Sequence, residues 1–323
     1  MPARISLAAL EANQLRLYLL AVALGLIIGT YAAGFASLLD SLLWPVLALL
    51  LYATFVQVPV LHLKQALADR RFMAALLLGN FLLLPLLAWG LMQALPDDPA
   101  LRLGVLLVLL VPCTDWFITF CHLGGGSPGR AVAVTPLNLL LQFLLLPFYL
   151  WLMLPQSSVA QLTLEGGDLL AAAVGLLAVP LVLAAVTQRW IEHRPACAAV
   201  QQRLAWLPVP MLALVLMIIC ATNSQIMQQA GPVLLAVVPV FVLFLLAAGL
   251  LARGLTQAFQ LSMPAGRTLA FSFGTRNSFV VLPLALALPA GWEMAVVVVV
   301  IQSLVELAGM LFYLWWIPRK LFR

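Results

Sequence analysis

Charge is what this sequence has least of. Only 8% of its 323 residues are charged, where soluble domains run near a quarter. Hydrophobic residues make up 65%, and the mean hydropathy is +1.12. No soluble core uses so much apolar surface, so the composition reads as a polytopic membrane protein. Cys113, Cys121, Cys197 and Cys220 form no CxxC pair and no His-rich spacing, which argues against a disulfide framework or a zinc site. Gly-x-Ser-x-Gly and HExxH sets are missing, and His62, His122 and His193 all fall near one expected boundary, so a membrane enzyme is disfavoured. No Gly-Lys-Ser/Thr follows Gly124-Gly125-Gly126, which reads as a turn, and no cofactor is implied. No ring of like charges or repeated filter motif suggests a channel. The stretch Met1 to Leu15 is polar and mixed and has no cleavage pattern, so no removable signal peptide is expected.

What is present is long apolar runs. A helix needs about 20 apolar residues to cross the hydrocarbon core. Breaking the chain at its charged, polar and Gly/Pro clusters predicts ten spans: about Leu17 to Ala33, Leu38 to Leu61, Phe72 to Leu95, Leu101 to Leu123, Ala131 to Leu154, Leu169 to Trp190, Leu204 to Met227, Val233 to Ala252, Thr268 to Pro289 and Met294 to Ile317. The interruptions, among them Pro96-Asp97-Asp98-Pro99 and Pro155 to Asp168, are too short for a soluble domain.

The bases orient these spans. One side holds Arg4, Arg16, Lys64, Arg70, Arg71, Arg130, Arg189, Arg194, Arg203, Arg253, Arg267, Arg319, Lys320 and Arg323; the other holds only Arg102. By the positive-inside rule both termini are expected in the cytoplasm of a protein of the inner (plasma) membrane. The bases lie singly in short loops and form no stripe, so nucleic acid is not an expected partner; membrane lipid is.

One base is left over, and it lies inside a span. Arg276 and Asp115 sit near the middle of the ninth and fourth spans. A charge at the bilayer centre costs about 2.5 to 3.5 kcal/mol even on lenient scales, so each needs a partner, a wet cavity or a task. Two readings stand open: a structural ion pair between them, or a part in transport.

Ten spans divide into two sets of five, and an odd number per set inverts the second set. The polar residues fit that division. Pro112-Cys113-Thr114-Asp115 in span 4 corresponds to Gly274-Thr275-Arg276-Asn277-Ser278 in span 9, and Asn138 and Gln142 in span 5 correspond to Gln302 and Glu306 in span 10, both spaced i, i+4. Pro112 removes a backbone donor and Gly274 tolerates unusual dihedrals, so both helices are expected to break. Backbone freed inside a bilayer must be satisfied by protein or by a polar cavity.

These residues carry a resemblance. Val111-Pro112-Cys113-Thr114, Leu137 to Gln142, and Leu304-Val305-Glu306-Leu307 look like the arsenite-efflux permeases of the bile acid:sodium symporter superfamily, and Phe273 to Ser278 is similar to its Gly-x-Gln-Asn-Ser stretch. The resemblance implies an all-α membrane protein with a sodium/proton-antiporter-like fold. It would form a single polytopic domain over 1–323, with inverted five-helix repeats of about 17–154 and 169–317 and crossing, broken helices 4 and 9. It implies arsenite efflux, with Cys113 as the arsenic ligand and Glu306 needed for transport. Thr114, Asn138, Gln142, Asn277 and Ser278 are expected to line the solute cavity; Asp115, Arg276, Gln302 and Glu306 are the candidates for ion coupling. Arg276 stands where sodium-coupled relatives carry Gln, and Asp115 where a small apolar residue is usual, which favours protons over sodium. The alternative within the fold is a sodium-coupled symporter of an organic anion.

Overall fold

The computed structural model describes residues 7, 10, 13–58, 69–114, 116–193, 198–228 and 231–323. Asp115, with Arg4, His62, Lys64, Arg194 and Cys197, lies outside them. Every regular element among the described residues is helical: α1 Gln14–Tyr31, α2 Ala33–Gln57, α3 Arg70–Leu78, α4 Leu84–Met92, α5 Pro99–Leu109, α6 Trp116–Leu123, α7 Pro128–Met153, α8 Gln156–His193, α9 Ala198–Leu204, α10 Pro208–Thr222, α11 Ser224–Gln228, α12 Gly231–Ala258, α13 Met263–Gly274, α14 Ser278–Leu286 and α15 Glu293–Trp316. Short π-helical turns follow α3 at Gly79–Leu83 and α15 at Ile317–Leu321.

Among the described residues, eight helical stretches are long and apolar enough to cross a membrane by length and composition, and Pro99–Leu109 is a shorter apolar helix. Two expected spans, 101–123 and 268–289, are not among the eight. Each is broken into two short helices, α5 and α6 in one and α13 and α14 in the other.

One expected interruption between spans is itself helical. Residues 156–168 are helical and extend α8 toward its N-terminus. Its polarity ends the apolar run without ending the helix: the Gln, Ala, Leu and Glu of this stretch are good helix formers, and Pro155 precedes the first turn, where no donor is needed.

The chain divides into two compact units, residues 1–57 with 171–231, and 58–170 with 232–323. In the first, α10 packs against α1 and α2. Gly25 and Gly29 on α1 make this possible: a Cβ at Gly25 would lie 2.3 Å from the Met217 carbonyl oxygen, and one at Gly29 equally close to that of Ala221. Small residues one turn apart let helices approach closely where lipid supplies no hydrophobic drive. Leu20, Leu24 and Ile27 of α1 are exposed, as a lipid-facing stripe requires. The end of α2 is satisfied by Gln188, whose Nε2 donates to the carbonyls of Phe55 and Val56 at 3.1 Å.

In the second unit α5 lies against α15, where Gly104 leaves only 2.9 Å between a would-be Cβ and Ala295 Cα. Asp98 caps α5 by accepting from the N–H groups of Ala100 and Leu101 at 2.9 and 3.1 Å, with Pro99 at the first helical position. Asp69 caps α3 through Phe72 N and pairs with Arg130 at 2.9 Å. Partial burial opposes ionisation of Asp69, but the Phe72 N–H and the Arg130 guanidinium outweigh it and hold the carboxyl below its ordinary value.

Candidate functional site: the crossing of two broken helices

The site lies within the second unit and starts from two helix ends. Pro112 cannot donate a backbone hydrogen bond, and α5 stops before it at Leu109. In α13 the helix stops at Gly274, and the reason differs from the one expected. Its φ is not positive; what it supplies is room, since a Cβ there would lie 2.5 Å from the Tyr313 ring. Beyond the two ends the links run antiparallel, with Pro112 opposite Arg276. Cys113 N donates to Thr275 O at 3.2 Å, and Asn277 N to Val111 O at 2.8 Å.

This bridge leaves particular carbonyls without their helical donors. In an unbroken helix the N–H of residue i+4 serves the carbonyl of residue i. Leu109 O loses Cys113 N to Thr275, and Phe273 O loses Asn277 N to Val111. Ser272 O loses Arg276 N, which donates to Glu306 Oε2 at 2.8 Å.

The Arg276 guanidinium takes all three. Nη1 donates to Leu109 O at 3.3 Å, and Nη2 to Ser272 O at 3.2 Å, Phe273 O at 2.7 Å and Asn80 Oδ1 at 3.1 Å. Asn80 sits in the π-helical turn after α3, and its Nδ2 donates to Ser272 Oγ at 3.1 Å, which fixes the orientation of its oxygen. The guanidinium carbon stands 5.3 Å from the centre of the Phe244 ring, a cation–π distance. Arg276 is 1% exposed. Its charge lies at the C-terminal, negative ends of α5 and α13, the favourable place for a cation. Among the described residues no carboxylate lies within ion-pair distance of the guanidinium.

Glu306, on α15 and 1% exposed, ties the crossing to that helix. Its Oε2 also accepts from Gln302 Nε2 at 2.6 Å, and Gln302 Oε1 accepts from Ser278 Oγ at 2.8 Å. The Trp116 indole lies near the carboxyl. The approach of Trp116 Nε1 to the carboxyl falls short of normal hydrogen-bond geometry, and Glu306 Oε1 has no partner of normal geometry among the described residues. Asn277 joins the links a second time: Nδ2 donates to Thr114 Oγ1 at 3.0 Å, while Oδ1 accepts from Val280 N and so caps α14.

Of the residues singled out from the sequence, Cys113, Thr114, Arg276, Asn277, Ser278, Gln302 and Glu306 meet in this network or on its backbone. Asp115 lies outside the described residues. Asn138 and Gln142 are buried on α7, and their four amide N and O atoms find no hydrogen-bond partner among the described residues. Cys121 and Cys220 are buried elsewhere, Cys121 against the Thr268 hydroxyl at 3.5 Å. Among the described residues no three His, Cys, Asp or Glu side chains cluster as a metal site. Sequence reading missed Asn80, Ser272 and Phe244. A lone amide in an apolar span beside Gly79 was the available signal for Asn80.

Compared with known families, residues 44–231 match the model of the Sodium Bile acid symporter family, more than half of the chain. The chain belongs to that family. As a sodium bile acid symporter family member with several membrane-length helices, it is an integral membrane protein of the secondary-transporter class. The matched stretch contains Cys113, Asn138 and Gln142 and ends before Arg276 and Glu306. No curated protein gives a significant match.

Proposed function

We propose that this chain exports arsenite from the cytoplasm in exchange for protons. The observation that carries the proposal is the position of Cys113, 2% exposed, in the link that bridges to Arg276 beside the Glu306 network. A thiol there can exchange with one hydroxyl of arsenous acid: an S–As bond forms, an As–O bond breaks, and the thiol proton leaves in the released water. Trivalent arsenic favours such a soft ligand. Glu306 is the proton carrier of this account. Its Oε2 stays bonded to Arg276 N and Gln302, and its Oε1 is the oxygen available to a proton.

The same proposal takes ten crossings, arranged as inverted halves of about 17–154 and 169–317, with both termini cytoplasmic in the plasma membrane. Support comes from the breaks, which fall in corresponding spans of the two halves, and from the compact units, each of which draws on corresponding parts of both halves. The solute cavity is assigned to Cys113, Thr114, Asn138, Gln142, Asn277 and Ser278.

A second reading, sodium-coupled uptake of an organic anion, is favoured by the family's description and by the amides of Asn138 and Gln142, which have no hydrogen-bond partner among the described residues. It is opposed by the guanidinium standing where the broken-helix carbonyls converge. Arsenite accumulation in metalloid-sensitive cells tests the first reading: the intact protein lowers it and Cys113→Ser does not. Unchanged accumulation with confirmed expression of the intact protein contradicts the export reading, and solute uptake with sodium replaced by choline tests the second.

A further inference from the structure

The geometry points to an alkali-cation site at the crossing whose occupant is part of the chain: the Arg276 guanidinium fills a four-oxygen cage that would otherwise take a sodium ion. The cage is made of Leu109 O, Ser272 O, Phe273 O and Asn80 Oδ1, all neutral and all oxygen, the ligand type of hard cations. Unwound carbonyls and half-helix C-terminal ends at mid-membrane are the groups that coordinate such ions in transporters built on broken helices.

The cage does not depend on the arginine side chain. Its three carbonyls are orphaned because the backbone N–H groups of Cys113, Arg276 and Asn277 are drawn to Thr275 O, Glu306 Oε2 and Val111 O. A different side chain at 276 keeps those three backbone bonds, and so keeps the oxygens unserved. They are also buried: Leu109, Ser272, Phe273 and Asn80 are each at most 1% exposed. Empty, the cage would hold buried unpaired acceptors at the negative ends of two helices, a strong demand for positive charge. A guanidinium meets the demand permanently, whereas a bound ion would come and go. The functional consequence, which rests on the transporter reading above, is that the coupling step at this crossing needs no sodium.

The site itself is tested without reference to solute. Full-length purified protein is melted in choline buffer and then with sodium or potassium added, for the wild type, Arg276→Lys, Arg276→Gln and Arg276→Ala. Sodium is expected to leave the wild type and Arg276→Lys unmoved. Arg276→Gln and Arg276→Ala are expected to melt lower in choline and to regain about 5 °C with saturating sodium, more than with potassium. Adding Asn80→Ala to Arg276→Gln should abolish the sodium response. Gln and Ala variants that show no larger sodium shift than the wild type overturn the proposal. So does failure to recover either variant folded in sodium buffer, or an Asn80-dependent sodium shift in the wild type. A negative arsenite assay leaves this result standing, and an unresponsive cage leaves the export assay standing.

Discussion

Arg276 Nη2 donates to the carbonyl of Phe273 at 2.7 Å, and that oxygen is open to it because Asn277 gives its N–H to Val111. The mid-span charge and the broken helix therefore satisfy each other. An arginine in an intact apolar helix would lack acceptors, and a broken helix in lipid would leave its carbonyls bare.

Replacing Arg276 by Met removes the donor from three buried carbonyls and from Asn80. The expected loss of stability is roughly 3 kcal/mol or more. Thermal unfolding in detergent measures it, with Arg276→Lys falling between the variant and the wild type.

Gly274 is a packing glycine. Gly274→Ala places a methyl against the Tyr313 ring and, through Tyr313 and Met310, strains the contact between α13 and α15. A loss of about 1 to 3 kcal/mol is expected, and an unchanged melting temperature would mean that the ring can yield.

Stability and transport should separate at Asn138 and Gln142. Four buried amide atoms without partners among the described residues cost free energy if nothing else serves them. Asn138→Leu and Gln142→Met remove that cost, so each should keep or raise stability, by about 1 kcal/mol at most, while transport falls. Loss of both stability and transport would identify these amides as struts between helices.

Much of the crossing is legible in the sequence. Pro112 and Gly274 marked the breaks because a missing donor and a missing Cβ are visible in sequence, and the i, i+4 amide and carboxyl pairs marked α7 and α15. Partner choice was not legible. An ion pair between Arg276 and Asp115 is one of two readings the sequence leaves open, and Asp115 lies outside the described residues; the partners Arg276 does show are Asn80 and backbone carbonyls that become available only when the links pair, a long-range event with no local signature. Asn80 does carry a local signal, a lone amide beside Gly79 in an apolar span, but nothing near it in sequence names Arg276 as its partner. The role of Gly274 was misassigned because a glycine needed for space and one needed for dihedral freedom look alike in sequence.

Asp69 gives a pH signature outside the spans, since the stretch Arg70–Met92 begins after it. Its folded pKa lies below the ordinary 3.8, so the stability it adds is present above that value and is lost as pH falls through the depressed one. Asp69→Ala should cost about 1 kcal/mol near neutrality, mostly through the lost cap. The gap between variant and wild type should narrow in acid as the charge-dependent share is lost, leaving what a neutral carboxyl still contributes as a cap; a gap that does not change with pH contradicts the assignment.

Glu306→Gln keeps the shape of the side chain and an oxygen for Arg276 N, but it cannot carry a proton. Arsenite binding, read by quenching of Trp116 fluorescence against a background of Trp-to-Phe substitutions elsewhere, should persist while proton-driven flux is lost. Retained proton-driven flux would remove Glu306 from the coupling step.

The central claim is tested most directly in everted membrane vesicles, where export appears as accumulation. An inside-acid proton gradient in sodium-free buffer should drive radiolabelled arsenite into vesicles that contain the intact protein, and not into vesicles with Cys113→Ser or Glu306→Gln. No accumulation, or accumulation only when sodium is supplied, would contradict the account.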